Sequence, residues 1–322
     1  MIANVLIALA AGCASALMFA SIASGALISL VLFYLSPLPL MVAAMGWGPL
    51  TAALGGTLAA LALGAIFSSS YGLAFALTIA LPAWWLGHLA LLGREVGPPS
   101  APGAPPALEW YPLGRILIWI AAFAALTTIG ALLTLGLDAA TITATLRRGL
   151  LRILGVKDGT TPSSGAETVI DALIAMAPAA AAIITMLTLT LNLWLAGKVT
   201  ATSGRLHRPW PDMKAAALPP LTLAALAFAL AICFAGGLPA IMAQIVVAAL
   251  MMAYALVGFA VLHTLTLALK ARPLWLSCTY AIMLVFGWPV VAMAALGLAD
   301  AIFGLRQRYL QRHTPPPLAP HP

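Results

Sequence analysis

The chain has 322 residues, of which 63% are hydrophobic and only 7% are charged, and its formal net charge is +7. A soluble domain carries about 25% charged residues, so this composition excludes a water-soluble globular protein and predicts an integral membrane protein with the lipid bilayer as its partner. The basic residues flank the apolar segments, where cations meet anionic lipid headgroups, so the positive charge does not indicate nucleic acid binding.

The first membrane block is predicted over residues 1–94, with about four spans. Residues 2–67 contain no charged side chain, and a span needs about 20 apolar residues, so this stretch is long enough for three passes. A fourth span is predicted over residues 72–93. Glycine and proline interrupt helices, and three places offer breaks between the first three spans, of which the sequence does not say which two are used: Ser21–Gly25, Ser36–Pro39 and Gly46–Pro49.

A linker separates this block from a second one. Residues 95–109 are rich in proline and predict a stiff, solvated cytoplasmic linker. The second block is predicted over residues 110–305, with about six spans. Its last apolar run, residues 273–305, is too long for one pass and could turn at Gly287-Trp288-Pro289 to make two short passes. Residues 306–322 form a basic, proline-rich cytoplasmic tail.

The distribution of lysine and arginine predicts the orientation. If the loops after residues 93, 198 and 270 lie on one side with the C-terminus, that side holds eleven of the 15 basic residues. A single pass over residues 273–305 moves three arginines across and leaves a split of eight to seven. The positive-inside rule therefore favours two passes and cytoplasmic N- and C-termini. The predicted fold is all-α and polytopic, with about ten transmembrane spans, eight or nine being the alternatives.

Residues 138–167 are the predicted outer loop of the second block and contain an amphipathic stretch. Four apolar side chains share one helical face, and three arginines lie off it: Leu146, Leu150, Ile153 and Leu154 against Arg147, Arg148 and Arg152. A helix of this kind lies in the headgroup plane of a bilayer. Two interpretations stay open, a lid over a cavity that opens outward or a helix that rests on the bilayer or on neighbouring helices.

No catalytic signature is present in the sequence, since a Walker loop, HExxH, GxSxG and a paired-carboxylate motif are all missing. We therefore predict no enzyme activity, no catalytic or cofactor-binding residue and no cofactor. The cysteines lie singly inside apolar runs, at Cys13, Cys233 and Cys278. This placement is typical of packing residues rather than of metal ligands.

Four spans each carry one polar side chain five to seven residues before the residue that ends the span: His88, Asn192, His263 and Asp300. At the helical rise, these positions lie about 8–10 Å inside the predicted cytoplasmic boundary. Polar side chains at depth face the bundle interior and one another, which predicts a shared polar layer; separate side chains that reach to the interface are the alternative. We expect no metal site, because no two of the four share a helix at ligand spacing.

Asp300 lies in an apolar run that has no other charged residue between Pro273 and Leu305, so its partner has to be identified. On a continuous helix Arg306 is displaced from Asp300 by about 240°, so the two side chains would not share a face. The sequence therefore predicts that Asp300 faces protein and pairs with a group from another helix. A functional carboxylate is the alternative.

Small residues recur at the spacing that allows two membrane helices to approach closely. They include Gly55-Gly56, Gly46 with Gly48, Ala10 with Ala14 and Ala11 with Ser15. In so alanine-rich a chain, this pattern predicts tight helix packing and does not identify a particular contact.

Three stretches, LSPLPLMVAAMGWGPLTAALGG, LPAWWLGHLALLGR and GLADAIFGLRQR, resemble the YybS-like family of bacterial multi-pass membrane proteins, and the resemblance extends over most of the chain. That family is in turn similar to the substrate-binding membrane subunits of energy-coupling-factor vitamin transporters and to MreD-type envelope proteins. The resemblance implies a place in the bacterial inner membrane.

Two functions follow as hypotheses. The first is a small-molecule binding or transport subunit without its own ATPase, with an energy-coupling module or other membrane proteins as candidate partners. It is favoured by the glycine-broken spans and the amphipathic outer loop. The second is a membrane scaffold for cell-envelope assembly or division, which the scarcity of polar residues in the central turns of the spans favours.

Overall fold

The fold comes from a computed structural model, which describes residues 2–97, 108–155, 164–212, 214, 216–267 and 269–313. Most of the predicted linker, part of the predicted outer loop and the end of the predicted tail lie outside the described residues. The described chain is helical almost throughout, which confirms the all-α class.

Among the described residues, seven helices are long and apolar enough to cross a membrane, and a bent pair near the C-terminus brings the number to eight if it forms one span. Two further apolar helices, residues 221–235 and 272–286, are shorter than a span. The chain is therefore a polytopic helical membrane protein. The seven long helices are Ile2–Ser24, Leu27–Trp47, Pro49–Ile66, Ser69–Leu91, Leu113–Leu133, Ser164–Thr202 and Gly237–Leu265.

The first block shows which of the predicted breaks separate its first three spans. One lies at the 3-10 turn Ser21–Ser24 and the other at Gly48, where the backbone φ of 99° is a conformation that glycine adopts without steric cost. Ser36 only interrupts a helix within one span. The elements of the first three spans are α1 (Ile2–Ala20), α2 (Leu27–Leu35), α3 (Pro37–Trp47) and α4 (Pro49–Ile66).

The fourth span contains an irregular segment. It begins as α5 (Ser69–Phe75), continues as a π-helical turn over Ala76–Ala80 and ends as α6 (Leu81–Leu91). Two short antiparallel strands follow and flank the linker, β1 (Gly93–Glu95) and β2 (Leu108–Trp110). The sequence did not predict this ribbon, because three-residue strands leave no hydrophobic alternation to detect.

The second block contains eight helices in the described part of the chain. Pro178 lies inside its longest helix, α9. The predicted break at Gly287-Trp288-Pro289 is confirmed, since one helix ends at Phe286 and the next begins at Val290. The helices are α7 (Leu113–Leu133), α8 (Ala139–Ile153), α9 (Ser164–Thr202), α10 (Leu221–Ile232), α11 (Gly237–Leu265), α12 (Arg272–Phe286), α13 (Val290–Phe303) and α14 (Leu305–His313).

Glycine contacts hold two helix pairs close together. A Cβ atom built on Gly55 of α4 would collide with the carbonyl oxygen of Ala8 in α1, which confirms tight packing at this predicted small-residue position. A Cβ atom built on Gly258 of α11 would collide with the carbonyl oxygen of Met293 in α13, and one on Gly297 with that of Tyr254. Small residues let backbones approach in this way.

One buried core runs through both blocks. Helix α3 of the first block packs against α9 and α6, and α7, α9 and α11 of the second block pack on one another. The largest fully buried side chains come from both blocks: Phe75, Leu40, Met41, Ile120, Met186 and Tyr254. The two blocks therefore share a continuous helical core, in which α3 and α9 provide the main contact between them.

Candidate functional site

Asp300 is the one member of the predicted polar layer with an ionic partner in the described structure. It is only 7% exposed, which confirms that it faces protein. Its carboxylate accepts the backbone N–H and the Nε–H of Arg306, each at 2.8 Å. The prediction that the Asp300 and Arg306 side chains lie on different helical faces and do not meet is wrong, because α13 ends at Phe303.

The chain turns by 67° between α13 and α14, at Gly304. This glycine adopts the left-handed conformation, with φ 63°, that ends many helices. The turn brings Arg306 back onto Asp300, and the guanidinium also donates to the carbonyl oxygens of Lys214 and Ala216 at 2.6 and 2.9 Å. The pair thus fastens the end of α13 to the segment before α10, which is a structural role.

Asn192 is fully buried, and its side chain hydrogen-bonds to the backbone beside the break in the second span. Its amide nitrogen donates to the carbonyl oxygens of Tyr34 at 2.8 Å and Thr188 at 2.7 Å. Pro37 and Pro39 lack the N–H groups that would continue the helix. Side chains therefore donate hydrogen bonds to the carbonyl oxygens around the break, because backbone polar groups inside a membrane need a partner. Ser15 donates to the carbonyl oxygen of Ser36 in the same region, at 2.5 Å.

The two histidines have other neighbours. The ring of His88 lies 5.8 Å from that of Trp85, and Nε2 of His263 lies 2.8 Å from the Tyr280 hydroxyl. In the described structure, the hydrogen bonds and ring contacts of the four polar-layer side chains are thus made with other residues and not with one another. That the four lie at a common depth stays a prediction. Within the described ranges, no group of three or more His, Cys, Asp or Glu side chains is arranged to hold a metal ion.

A cleft of about 600 Å³ lies at the junction of the two blocks, and none of these four side chains lines it. We call it the threonine cleft, because threonines from three spans line it. Two of its lining residues, Tyr34 and Thr188, are those whose carbonyls accept hydrogen bonds from Asn192. The lining carries no charged side chain among the described residues. It includes Phe33, Tyr34, Pro37, Thr78, Ile79, Thr127, Thr128, Ala131, Leu132, Thr134, Leu146, Pro178, Ala181, Thr185, Thr188 and Leu189.

Three of the helices that form the threonine cleft are irregular where they line it. The α2–α3 span breaks at Ser36, next to the lining residues Tyr34 and Pro37. The fourth span makes its π-helical turn at the lining residues Thr78 and Ile79, and α9 contains the lining residue Pro178. Such irregular turns recur at functional sites, and interrupted helices line the substrate sites of many transporters.

The threonine hydroxyls give the cleft its chemistry. Several donate to the carbonyl of their own helix one turn earlier, such as Thr78 to Ala74 at 2.7 Å and Thr185 to Ala181 at 2.9 Å. A hydroxyl that donates in this way keeps lone pairs that accept hydrogen bonds. The cleft therefore offers a mostly apolar surface with hydrogen-bond acceptors and no fixed charge.

Helix α8 closes one side of the cleft through Leu146. Its amphipathic character is confirmed, but the buried face is centred on Ile142, which the sequence reading missed. Ile153 and Leu154, predicted to share the apolar face, are 84% and 55% exposed. The helix therefore rests on its neighbours at its first turns and projects away from them at its end.

Polar contacts hold α8 at both its start and its middle. The Asp138 side chain caps the helix by accepting the Thr141 N–H at 2.8 Å, and its hydrogen bonds with Thr141 lower the pKa of this carboxyl. Arg147 pairs with Glu167 and Asp171 of α9, and the hydrogen bond to Glu167 raises the pKa of the guanidinium. These ion pairs connect α8 to the helix that carries Pro178.

The threonines of the cleft were missed in the sequence reading, although the pattern contained a detectable feature. Thr185 and Thr188 are three residues apart, so they share a face of α9, and Thr127-Thr128 interrupt an otherwise apolar span. Threonine is common in membrane helices as a packing residue, so these hydroxyls do not stand out in the sequence as charged or ring-nitrogen groups do.

Comparison with known proteins finds no matching family model, no similar curated protein and no similar solved structure.

Proposed function

We propose that this chain is a small-molecule binding subunit of a membrane transport system, and that its ligand occupies the threonine cleft. One observation carries the proposal: the helix irregularities at Ser36, Ala76–Ala80 and Pro178 converge on a single cleft of about 600 Å³ between the two blocks. Irregular backbone in a membrane protein belongs where protein or a cavity surrounds it. A cavity of this size is in the range of small-molecule sites.

The lining indicates the class of ligand. Burying a charged group without a partner is costly, and the described lining has no charged side chain to balance one. The hydroxyls of Thr127 and Thr185 can accept hydrogen bonds while they donate to Phe123 and Ala181. We therefore expect a neutral, largely apolar molecule with at least one hydrogen-bond donor.

Transport would need an energy source outside this chain, since the sequence contains no nucleotide-binding motif. An energy-coupling partner would supply it, in keeping with the resemblance to YybS-like proteins and to vitamin-transporter subunits. Helix α8 is suited to act as the gate, because it contributes Leu146 to the cleft and is tied to α9 through Arg147. This role adopts the lid interpretation of the amphipathic helix.

The test begins with purification in mild detergent and mass spectrometry of the small molecules that remain bound. Each neutral compound found is then returned to the purified protein, and the shift in Tm is measured. Thr185→Val keeps the side-chain shape but removes the hydroxyl, so we expect binding to weaken by about threefold to tenfold, the worth of one hydrogen bond.

Thr264→Val is the matched control. Its hydroxyl makes the same type of bond, to Ala260 at 2.8 Å, within the buried part of α11 and away from the cleft. Equal binding by Thr185→Val and the parent would place the ligand elsewhere. Retention of a cell-wall or division protein with no small molecule would favour the scaffold hypothesis instead.

A further inference from the structure

A second cavity lies at the opposite end of α7 and α9 from the threonine cleft and is almost wholly apolar. Its volume is about 120 Å³. The lining includes Leu117 and Ile120 of α7 with Leu193 of α9, and the segment after α9 contributes Arg208 and Trp210. A cation at the edge of an apolar cavity is unusual, because apolar surroundings disfavour a charged group.

Arg208 is half-buried and has no carboxylate partner in the described structure. Its guanidinium donates to the carbonyl oxygens of Ala90 at 3.2 Å and Tyr111 at 3.1 Å, and it lies 5.9 Å from the ring of Trp110. Burial lowers the pKa of this guanidinium. A guanidinium has five N–H donors, so these two carbonyls leave capacity for an anion.

Two more cations of this region rest on tryptophan rings, and the ring beneath one of them lines the cavity. The Lys198 ammonium is 4.1 Å from the centre of the Trp210 ring, and Trp210 itself lines the cavity. The Arg205 guanidinium is 4.5 Å from the centre of the Trp47 ring.

The described ion pairs of the structure use other basic residues, namely Arg94, Arg147 and Arg306. The acidic residue of this segment, Asp212, accepts the backbone N–H of Lys214. The positive charges of Lys198, Arg205 and Arg208 therefore have only carbonyls and rings as described partners.

We propose that this cavity with its cationic edge binds an anionic phospholipid, with the phosphate at Arg208 and Lys198 and part of one acyl chain in the cavity. Basic pockets between membrane helices take lipid headgroups in this way. The apolar lining fits an acyl segment, whereas a free phosphate would leave it empty. The inference is independent of the ligand in the threonine cleft.

The experiment measures the Tm of the purified chain in detergent micelles that contain phosphatidylglycerol, phosphatidylcholine or neither, with inorganic phosphate as a further arm. We expect phosphatidylglycerol alone to raise the Tm, because it supplies both the charge and the chain. Lys198→Gln should lose most of this rise and, unlike Arg208→Gln, breaks no described hydrogen bond to the backbone. Arg308→Gln removes an equal charge from exposed α14 and should keep the rise.

Gly197→Leu tests the acyl chain separately. Gly197 lines the cavity, and a Cβ there would make ordinary contacts, 3.5 Å from Trp210 and 3.6 Å from Met45, so the longer side chain occupies the space without changing the charge. We expect this variant to lose the rise as well. An equal rise with phosphatidylcholine, a rise with inorganic phosphate alone, or a full rise in Gly197→Leu would each overturn the proposal.

Discussion

The carboxylate of Asp300 accepts both the backbone N–H and the guanidinium N–H of Arg306 across the 67° bend at Gly304. Both side chains are almost fully buried, and the ionic contact measures 2.7 Å. The pair therefore sets the direction in which the chain leaves the bundle, and the further bonds from Arg306 to Lys214 and Ala216 connect that exit to the segment before α10.

Replacement of Asp300 should destabilise the protein through the charge that is left behind. We expect Asp300→Leu to cost about 3 kcal/mol, since removal of one partner leaves the buried Arg306 uncompensated. Asp300→Asn should cost less, because the amide oxygen can still accept the Arg306 N–H. The unfolding temperature in detergent measures both.

The matched control for Asp300 is the exposed pair between Arg94 and Glu109. Surface pairs contribute about 0–1 kcal/mol, so Glu109→Leu should melt close to the parent. An Asp300→Leu variant that melts as high as Glu109→Leu would show that the buried pair does not fasten the terminal helices.

The contact between α11 and α13 should be sensitive to a single methyl group. A Cβ on Gly297 would collide with the backbone carbonyl of Tyr254, and backbone cannot move aside as a flexible side chain can. We expect Gly297→Ala to cost about 1–3 kcal/mol by overpacking. Gly130→Ala in α7 has open space around it and should be neutral or stabilising; equal melting temperatures for the two variants would contradict the described packing.

The membrane class and most of the helix boundaries could be predicted from the sequence, because they depend on composition and on local breakers. Gly48 and Gly287 end helices where the sequence offered breaks. The Ser36-Pro37 break looked equivalent but only interrupts a span, and Asn192, from a distant part of the chain, donates to the Tyr34 carbonyl beside it. Local sequence cannot show such a partner.

The Asp300–Arg306 pair was missed for a related reason. The rotation of 100° per residue holds only along an unbroken helix, whereas α13 ends at Phe303 and the chain bends at Gly304 before it reaches Arg306. Glycine directly after an apolar helical run is a helix stop, so this feature was detectable. The threonine cleft depends on four spans and α8 meeting, and no single stretch of sequence contains that information.

Helix α8 should loosen when its tie to α9 is removed. Arg147→Gln breaks the ion pairs to Glu167 and Asp171, so we expect faster hydrogen exchange in residues 139–153, measured by mass spectrometry. Within the described part of the chain, Arg148 bonds to its own helix, at Ala144 and Thr145. Arg148→Gln should leave the exchange of α8 unchanged, and equal exchange in both variants would show that the ion pairs do not hold the helix.

The orientation predicted from the basic residues can be tested with single cysteines. In a background with Cys13, Cys233 and Cys278 replaced by alanine, Thr143→Cys in exposed α8 should react with an impermeant maleimide added outside the cells. Ser203→Cys and Arg308→Cys should react only after the cells are opened. Outside labelling at Arg308→Cys alone would mean that α12 and α13 together do not cross the membrane twice.

The most direct test of a ligand in the threonine cleft is native mass spectrometry of the chain purified in mild detergent. The parent is compared with variants that carry one of two neighbouring tryptophan substitutions. Ala131→Trp fills the threonine cleft, because Ala131 lines it. Gly130→Trp adds the same bulk one residue earlier, where the surroundings are open. We predict that the parent and Gly130→Trp retain a neutral small molecule and that Ala131→Trp does not. Equal retention by all three proteins, or none by any of them, would contradict a ligand in the cleft.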